Sequence, residues 1–208
     1  MAAELQAFYE ANPEYYQITH GHAPAPDAAL QGFDFRPPAD MSYTDLPMWL
    51  IRERDSGRVV GEVSVATDLL AAGVTHLGFF MVATSRHGTG FAADVYASYE
   101  AWAIGQGARW LRLGVVEGHR RAHRYWLRQG YVEVCQRHDY VLGNLSHTLR
   151  VMAKPLAANT LTRTSPRCRA TALWAKATDV RRQAAISEVL PGTLADADID
   201  PVFGHEGV

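Results

Sequence analysis

The stretch Thr75-His76-Leu77-Gly78-Phe79-Phe80-Met81-Val82-Ala83-Thr84-Ser85-Arg86-His87-Gly88-Thr89-Gly90-Phe91-Ala92 decides how this chain is read. Its first eight residues are mainly apolar on both faces of an alternation, His76, Gly78, Phe80 and Val82 on one and Leu77, Phe79 and Met81 on the other. That pattern predicts a strand in the middle of a sheet. Gly88 and Gly90 predict a turn, and the apolar residues that follow open a long helix. Strand, glycine turn and helix start, in this order, aim several backbone N–H groups at one point, where the helix end favours negative charge. A phosphate suits such a point.

Downstream, Phe91, Ala92, Val95, Tyr96, Tyr99, Trp102 and Ala103 recur at intervals of three and four, an amphipathic helix stopped at Gly105-Gln106-Gly107. A strand follows from Ala108 to Val116, with Gly114 as a place where the backbone diverges or something approaches closely. His119 to Arg128 reads as a helix ended by Gly130, and strands return over Tyr131 to Arg137 and about His147 to Lys154. Upstream, Met48 to Arg54 and Arg58 to Thr67 read as two strands joined at Asp55-Ser56-Gly57. The first 16 residues hold one or two short helices broken at Asn12-Pro13, and the proline-bearing segment from Gly21 to Asp40 is irregular around at most one more. The resulting order is helix, three strands, helix, strand, helix, two strands.

The whole chain sets the outer bounds. With 208 residues, 48% of them hydrophobic, and a net charge of -2, it has the size for one domain plus an appendage and no global pull towards nucleic acid or membrane. No apolar run reaches the roughly 18 to 20 residues that span a bilayer, and the acidic, aromatic start lacks the layout of a signal peptide, so a cytoplasmic location is expected. Cys135 and Cys168 lie far apart and are expected to be free thiols. We divide the chain into a domain over residues 1–156 and an extension over 157–208, where large apolar residues thin out. One helix is expected between Arg169 and Leu190, with a mobile segment after Pro191.

Two motif regions, taken with the element order, resemble the GNAT N-acetyltransferases. The family's Arg/Gln-x-x-Gly-x-Gly/Ala loop is matched by His87-Gly88-Thr89-Gly90-Phe91-Ala92, and its Asn-x-x-Ala-x-x-x-Tyr-x-x-x-Gly-Phe segment by residues 119–131, with Ala122, Trp126, Gly130 and Tyr131 in register. The match covers about Met48 to Leu156. It implies an α/β GNAT fold, with helices flanking a mixed, mostly antiparallel sheet, and acetyl transfer from acetyl-CoA directly to an amine, on a small molecule or a protein. It also implies that His87, Gly88, Thr89, Gly90, Phe91 and Ala92 hold the coenzyme pyrophosphate, and that Val82 pairs with the pantetheine arm where its strand splays from the one beginning at Trp110. His119 and Trp126 complete the coenzyme set. Three positions depart from the pattern: His87 replaces Arg or Gln and leaves Arg86 as the nearby cation, His119 replaces Asn, and Trp126 replaces a Tyr that protonates the leaving thiolate.

Acetyl transfer needs a neutral amine, hence a base. His76 is the first candidate, at a position where some relatives carry a His or Glu base, and its ordinary pKa suits the task. Glu62 on the neighbouring strand is the second. A structural hydrogen bond for His76, and a solvated edge or salt bridge for Glu62, are the alternatives. Tyr125 is the remaining catalytic candidate, turned by about 100° from Trp126 on a helix. His119 and His123 have zinc spacing, but Arg120, Arg121 and Arg124 oppose a cation, and no metal is expected. Tyr15 and Tyr16 are candidates for the acceptor pocket. The missing Tyr leaves a coenzyme-binding regulator or interaction protein as the alternative function, and the tail is a candidate for packing in a homodimer or, through Arg163 to Arg182, for nucleic acid.

Overall fold

A computed structural model describes residues 1–156 and 197–201. Three short helices come first: α1 (Ala2–Ala11), α2 (Glu14–His20) and α3 (Ala28–Asp34). α1 ends at Asn12, and Pro13 starts α2, as the Asn-Pro break predicts. Strands β1 (Met48–Glu53), β2 (Val59–Ala66) and β3 (Val74–Val82) follow, then a single 3₁₀ turn (Thr84–Arg86), α4 (Phe91–Gly105), β4 (Trp110–Val116), α5 (Arg120–Arg128), β5 (Val132–Leu142) and β6 (Leu145–Pro155). The hairpin strands β5 and β6 run further than the sequence pattern implied, up to the turn at Gly143-Asn144.

The sheet order is β5-β6-β4-β3-β2-β1-β7, with β3 and β4 parallel and the other described pairs antiparallel. β7 (Ala197–Pro201) lies against β1, so part of the segment expected to be mobile extends the sheet instead. Strand pairing uses main-chain groups, which explains how so polar a segment joins. The expected helix between Arg169 and Leu190, the basic run from Arg163 to Arg182 and Cys168 lie outside the described residues. Cys135 lies in β5. Among the described residues no helix is long and apolar enough to cross a membrane.

The core lies between the sheet and α4. Val95, Tyr96, Tyr99, Trp102 and Ala103 of α4 are buried, and Trp102 meets Trp49 of β1 edge to face, ring centroids 4.7 Å apart. α1 and α2 cover the opposite face through Tyr9 and Tyr15, whose rings contact Phe79 of β3 at 6.0 and 4.9 Å.

Two irregularities decide which side chains share that second face. Between Ser64 and Val65 the β2–β3 register shifts, so Ser64 faces Phe79 but Ala66 faces His76. The extra residue, at Gly78, brings His76 onto the face of Glu62, Ser64 and Phe79, and not onto that of Val82 as strict alternation implied. In β5 a second shift lies between Arg137 and Tyr140, where Asp139 has a φ of 56°. Arg137 and Tyr140, three apart, therefore both pair with same-face residues of β6, Leu149 and His147.

Candidate active site

The loop after β3 follows from local chemistry. Gly88 and Gly90 have φ of 79° and 95°, the left-handed region that L side chains avoid, and α4 begins directly after Gly90. Within the described residues no hydrogen bond claims the N–H of Gly88, Thr89 or Gly90, and the first turn of α4 has further N–H groups without helical acceptors. An added Cβ at either glycine would meet nothing within 4 Å, so the loop faces open space. His87 differs from expectation, because its N–H donates to the Thr84 carbonyl at 3.1 Å and is not available to a ligand. Arg86 pairs with Glu53 and lies over the Phe91 ring, 5.7 Å from its centroid, so it stands beside the loop as half of an ion pair.

β3 and β4 pair only from Val74 to Leu77 and from Trp110 to Leu113. Beyond that, β4 continues beside β6 up to Val116 while β3 runs on with β2 to Val82, and a gap opens between them. The Ala83 N–H turns to the Val60 carbonyl at 2.8 Å, so by alternation Val82 directs its N–H and C=O into the gap. Its carbonyl is 3.2 Å from His87 Nε2, which must carry the proton to donate there. Burial, then the Arg121 charge, lowers the His87 pKa and keeps the ring neutral.

A cleft of about 1500 Å³ passes through this gap, reaching Phe80, Ala122, Trp126 and His119 on one side and Tyr9, Glu62, His76 and Phe79 on the other. Its roof is the β5–β6 turn. The Asn144 N–H donates to His20 O at 3.0 Å, and His147 Nε2 lies 2.7 Å from Thr19 O. A Cβ on Gly143 would stand 2.7 Å from His20 Cβ and O, so only glycine permits so close a contact.

Glu62 is 2% exposed and lies in neither of the surroundings anticipated for a structural carboxylate, a solvated edge or a salt bridge. Tyr9 Oη donates to its Oε2 at 2.5 Å and Ser64 Oγ to its Oε1 at 2.9 Å. Burial pushes its pKa up to about 7 against the opposing effect of these two donors. A carboxyl so placed exchanges a proton near neutrality. His76 is also buried, and its Nδ1 lies 3.1 Å from Arg112 Nη1, which can only donate, so Nδ1 accepts. Burial and the Arg112 charge hold its pKa well below the usual value.

The remaining predicted residues separate. Tyr125 does not reach the cleft: its hydroxyl donates to the Ala92 carbonyl at 2.7 Å and bolts α5 to the first turn of α4, and burial raises its pKa. Trp126 lines the cleft within an aromatic cluster, 5.3 Å from Phe80 and 5.6 Å from Tyr96. His119 is the residue capping α5, half-buried, its pKa lowered by burial and then by Arg121. Among the described residues no group of three or more His, Cys, Asp or Glu is placed to hold a metal. Sequence reasoning missed Tyr9, Arg112 and Arg137. Tyr9 carried only a helical-spacing signal, and the two arginines read as ordinary strand positions.

The family model of the GNAT acetyltransferases matches residues 5–131. Among solved structures, an acetyltransferase from Thermus thermophilus is 19% identical, with a TM-score of 0.52 over 74% of this chain and 90% of its own. A putative phosphinothricin N-acetyltransferase is 14% identical, with a TM-score of 0.53 over 76% of this chain and 95% of its own. No curated protein matches the chain.

Proposed function

The chain belongs to the GNAT acetyltransferase family, and from that premise we propose that it transfers the acetyl group of acetyl-CoA directly to the amine of an acceptor, with Glu62 as the base. The observation that carries the reading is the buried Glu62 carboxyl in a cleft that passes between two diverging strands.

The fit to the coenzyme rests on three features. Loop N–H groups of Gly88, Thr89 and Gly90 suit a diphosphate, glycine permits its close approach, and the gap beside Val82 suits an extended arm that takes the Val82 N–H as a donor. Bound acetyl-CoA supplies the thioester carbonyl, at which the amine forms a C–N bond as the C–S bond breaks. Glu62 accepts the proton that the ammonium must lose, directly or through a water. Its pKa near 7 keeps base and acid forms both populated at neutral pH. Tyr9 and Ser64 fix the carboxyl orientation. His76, whose Nδ1 accepts from Arg112, is better suited to positioning than to proton abstraction. The leaving thiolate takes its proton from water, since the indole of Trp126 is not an acid of useful strength and the Tyr125 proton is engaged with Ala92. Orientation of amine and thioester supplies the larger share of the rate.

Those last two facts also favour a second reading, a coenzyme-binding regulator without turnover. Calorimetry and a thiol-release assay on the full chain separate the two. Acetyl-CoA binding with thiol release in the presence of an amine supports the transferase, and binding without release over a broad amine panel supports the regulator. No affinity for acetyl-CoA or CoA removes both.

A further inference from the structure

The cleft continues beyond Glu62 to a second polar end, formed by residues that proton transfer does not use. Arg112, His76, Arg137 and Tyr140 line it together. They come from three strands, yet the registers put them on one face. Arg112 is opposite His76, Arg137 pairs with Leu149, which is opposite Val116 of β4, and Tyr140 pairs with His147.

Both strand irregularities act here. The one at Gly78 puts His76, and with it Arg112 opposite, on the face of Glu62, and the one at Asp139 turns Tyr140 to the side of Arg137, whose guanidinium lies 5.6 Å from the Tyr140 ring centroid. Bulges that re-aim side chains beside a cleft are features of a site and not of a plain sheet. The Arg112 guanidinium is further oriented by the neutral His76 ring at 3.1 Å. Both guanidinium charges bear on Tyr140 as well as on His76, so the four groups form one electrostatically linked cluster. Between this end and Glu62 the walls are aromatic, with Phe79 and Tyr15 in edge contact at 4.9 Å. Along β2 the ends are four residues apart, Glu62 to Ala66 opposite His76, or about 13 Å of strand before side chains reach inward.

We propose that the acceptor is an amine carrying an oxyanion, a carboxylate or phosphonate-like group, across a mainly apolar spacer. Arg112 and Arg137 hold the anion, and the amine lies at Glu62. This rests on the transferase reading and narrows it. Guanidinium forks match planar and tetrahedral oxyanions, and the aromatic walls match a hydrocarbon or ring spacer. Asp34 and Arg36, whose guanidinium donates to the Phe33 and Phe35 carbonyls, belong to the α3 side of the cleft, while Asp45 lies beside the end of β2, its carbonyl accepting from the Thr67 N–H and its carboxylate from the Leu46 N–H.

The test compares ω-amino carboxylates and ω-aminoalkyl phosphonates of three to eight carbons with n-alkylamines of equal length. Thiol release from acetyl-CoA gives kcat/KM, and calorimetry in the presence of CoA gives Kd. At some spacer length the anionic amine should be favoured at least tenfold over its neutral counterpart in both readings. In Arg137→Gln the ratio should fall towards one, and in Arg137→Lys it should recover in part. Circular dichroism checks folding of each variant, and the wild-type ratio stands without them. Equal or better use of alkylamines at every length, or equal binding of both series, overturns the anion site and leaves acetyl transfer intact. Selective binding of the anionic amines without any thiol release overturns the transferase reading and leaves the anion site.

Discussion

The glycine loop after β3 and the cleft are built from different materials. The loop after β3 presents main-chain N–H groups from one contiguous segment, and its side chains mostly serve neighbours: Thr89 caps Arg86 O, Arg86 pairs with Glu53, and His87 turns back to Val82. The cleft presents side chains from α1, α2 and the strands β2 to β5, held by contacts between distant residues. A site made of backbone is sensitive to φ and tolerant of side-chain identity. A site made of side chains is the reverse, and each of its groups can be removed singly.

Glu62→Gln should give the sharpest contrast. It keeps the shape and the acceptor from Tyr9 but removes the base, and kcat/KM is expected to fall about 10² to 10⁴-fold. The wild-type rise in kcat/KM through pH 7 should disappear with it, as stopped assays across pH 5 to 9 would show.

The same substitution changes stability in a direction fixed by the pKa. The folded carboxyl titrates at about 7 and the unfolded one near its ordinary value of 4.5, so between these values the folded state binds the extra proton. Its stabilising effect is fully present below about pH 4.5 and is lost as pH rises towards 7. Urea denaturation at pH 5 and pH 7.5 should show a larger difference for wild type than for Glu62→Gln.

Gly143→Ala tests the roof. The new methyl would meet backbone as well as side-chain atoms of His20 and sits at a φ of 54°, so a loss of about 1 to 3 kcal/mol is expected, with a raised KM for the acceptor and not for acetyl-CoA. Gly90→Ala tests the loop and should do the opposite. Nothing obstructs its methyl, and the cost is the left-handed backbone alone, about 1 to 2 kcal/mol, which should raise the acetyl-CoA KM roughly tenfold with the acceptor KM unchanged. Tyr125→Phe should have the smallest effect. Losing the hydrogen bond to Ala92 costs about 1 kcal/mol in thermal unfolding, with kcat nearly unchanged. A large kcat loss would make Tyr125 an acid after all.

The same contrast governs what could be read from the sequence. Element order and the glycine loop were legible, because a left-handed turn after an apolar strand and before an amphipathic helix is a local pattern. The cleft was not. Tyr9 and Glu62 are 53 positions apart and Arg112 and His76 are 36 apart, and nothing in either stretch marks its partner. Glu62 sits in a valine-rich strand, and its burial under α1, with Tyr9 on its carboxyl, shows only in the fold. The extra residues at Gly78 and Asp139 defeat an alternation rule, since one inserted position reverses every side chain beyond it.

The hairpin arch has a further consequence. His147 reaches Thr19 across 128 positions, so the cleft gains its roof only when the chain's opening helices meet strands made much later. Contacts of such separation form late, because the entropy of closing the intervening loop must be overcome first. A nascent chain that has emerged only as far as α5 would already carry its glycine turn while still lacking the vault over the cleft.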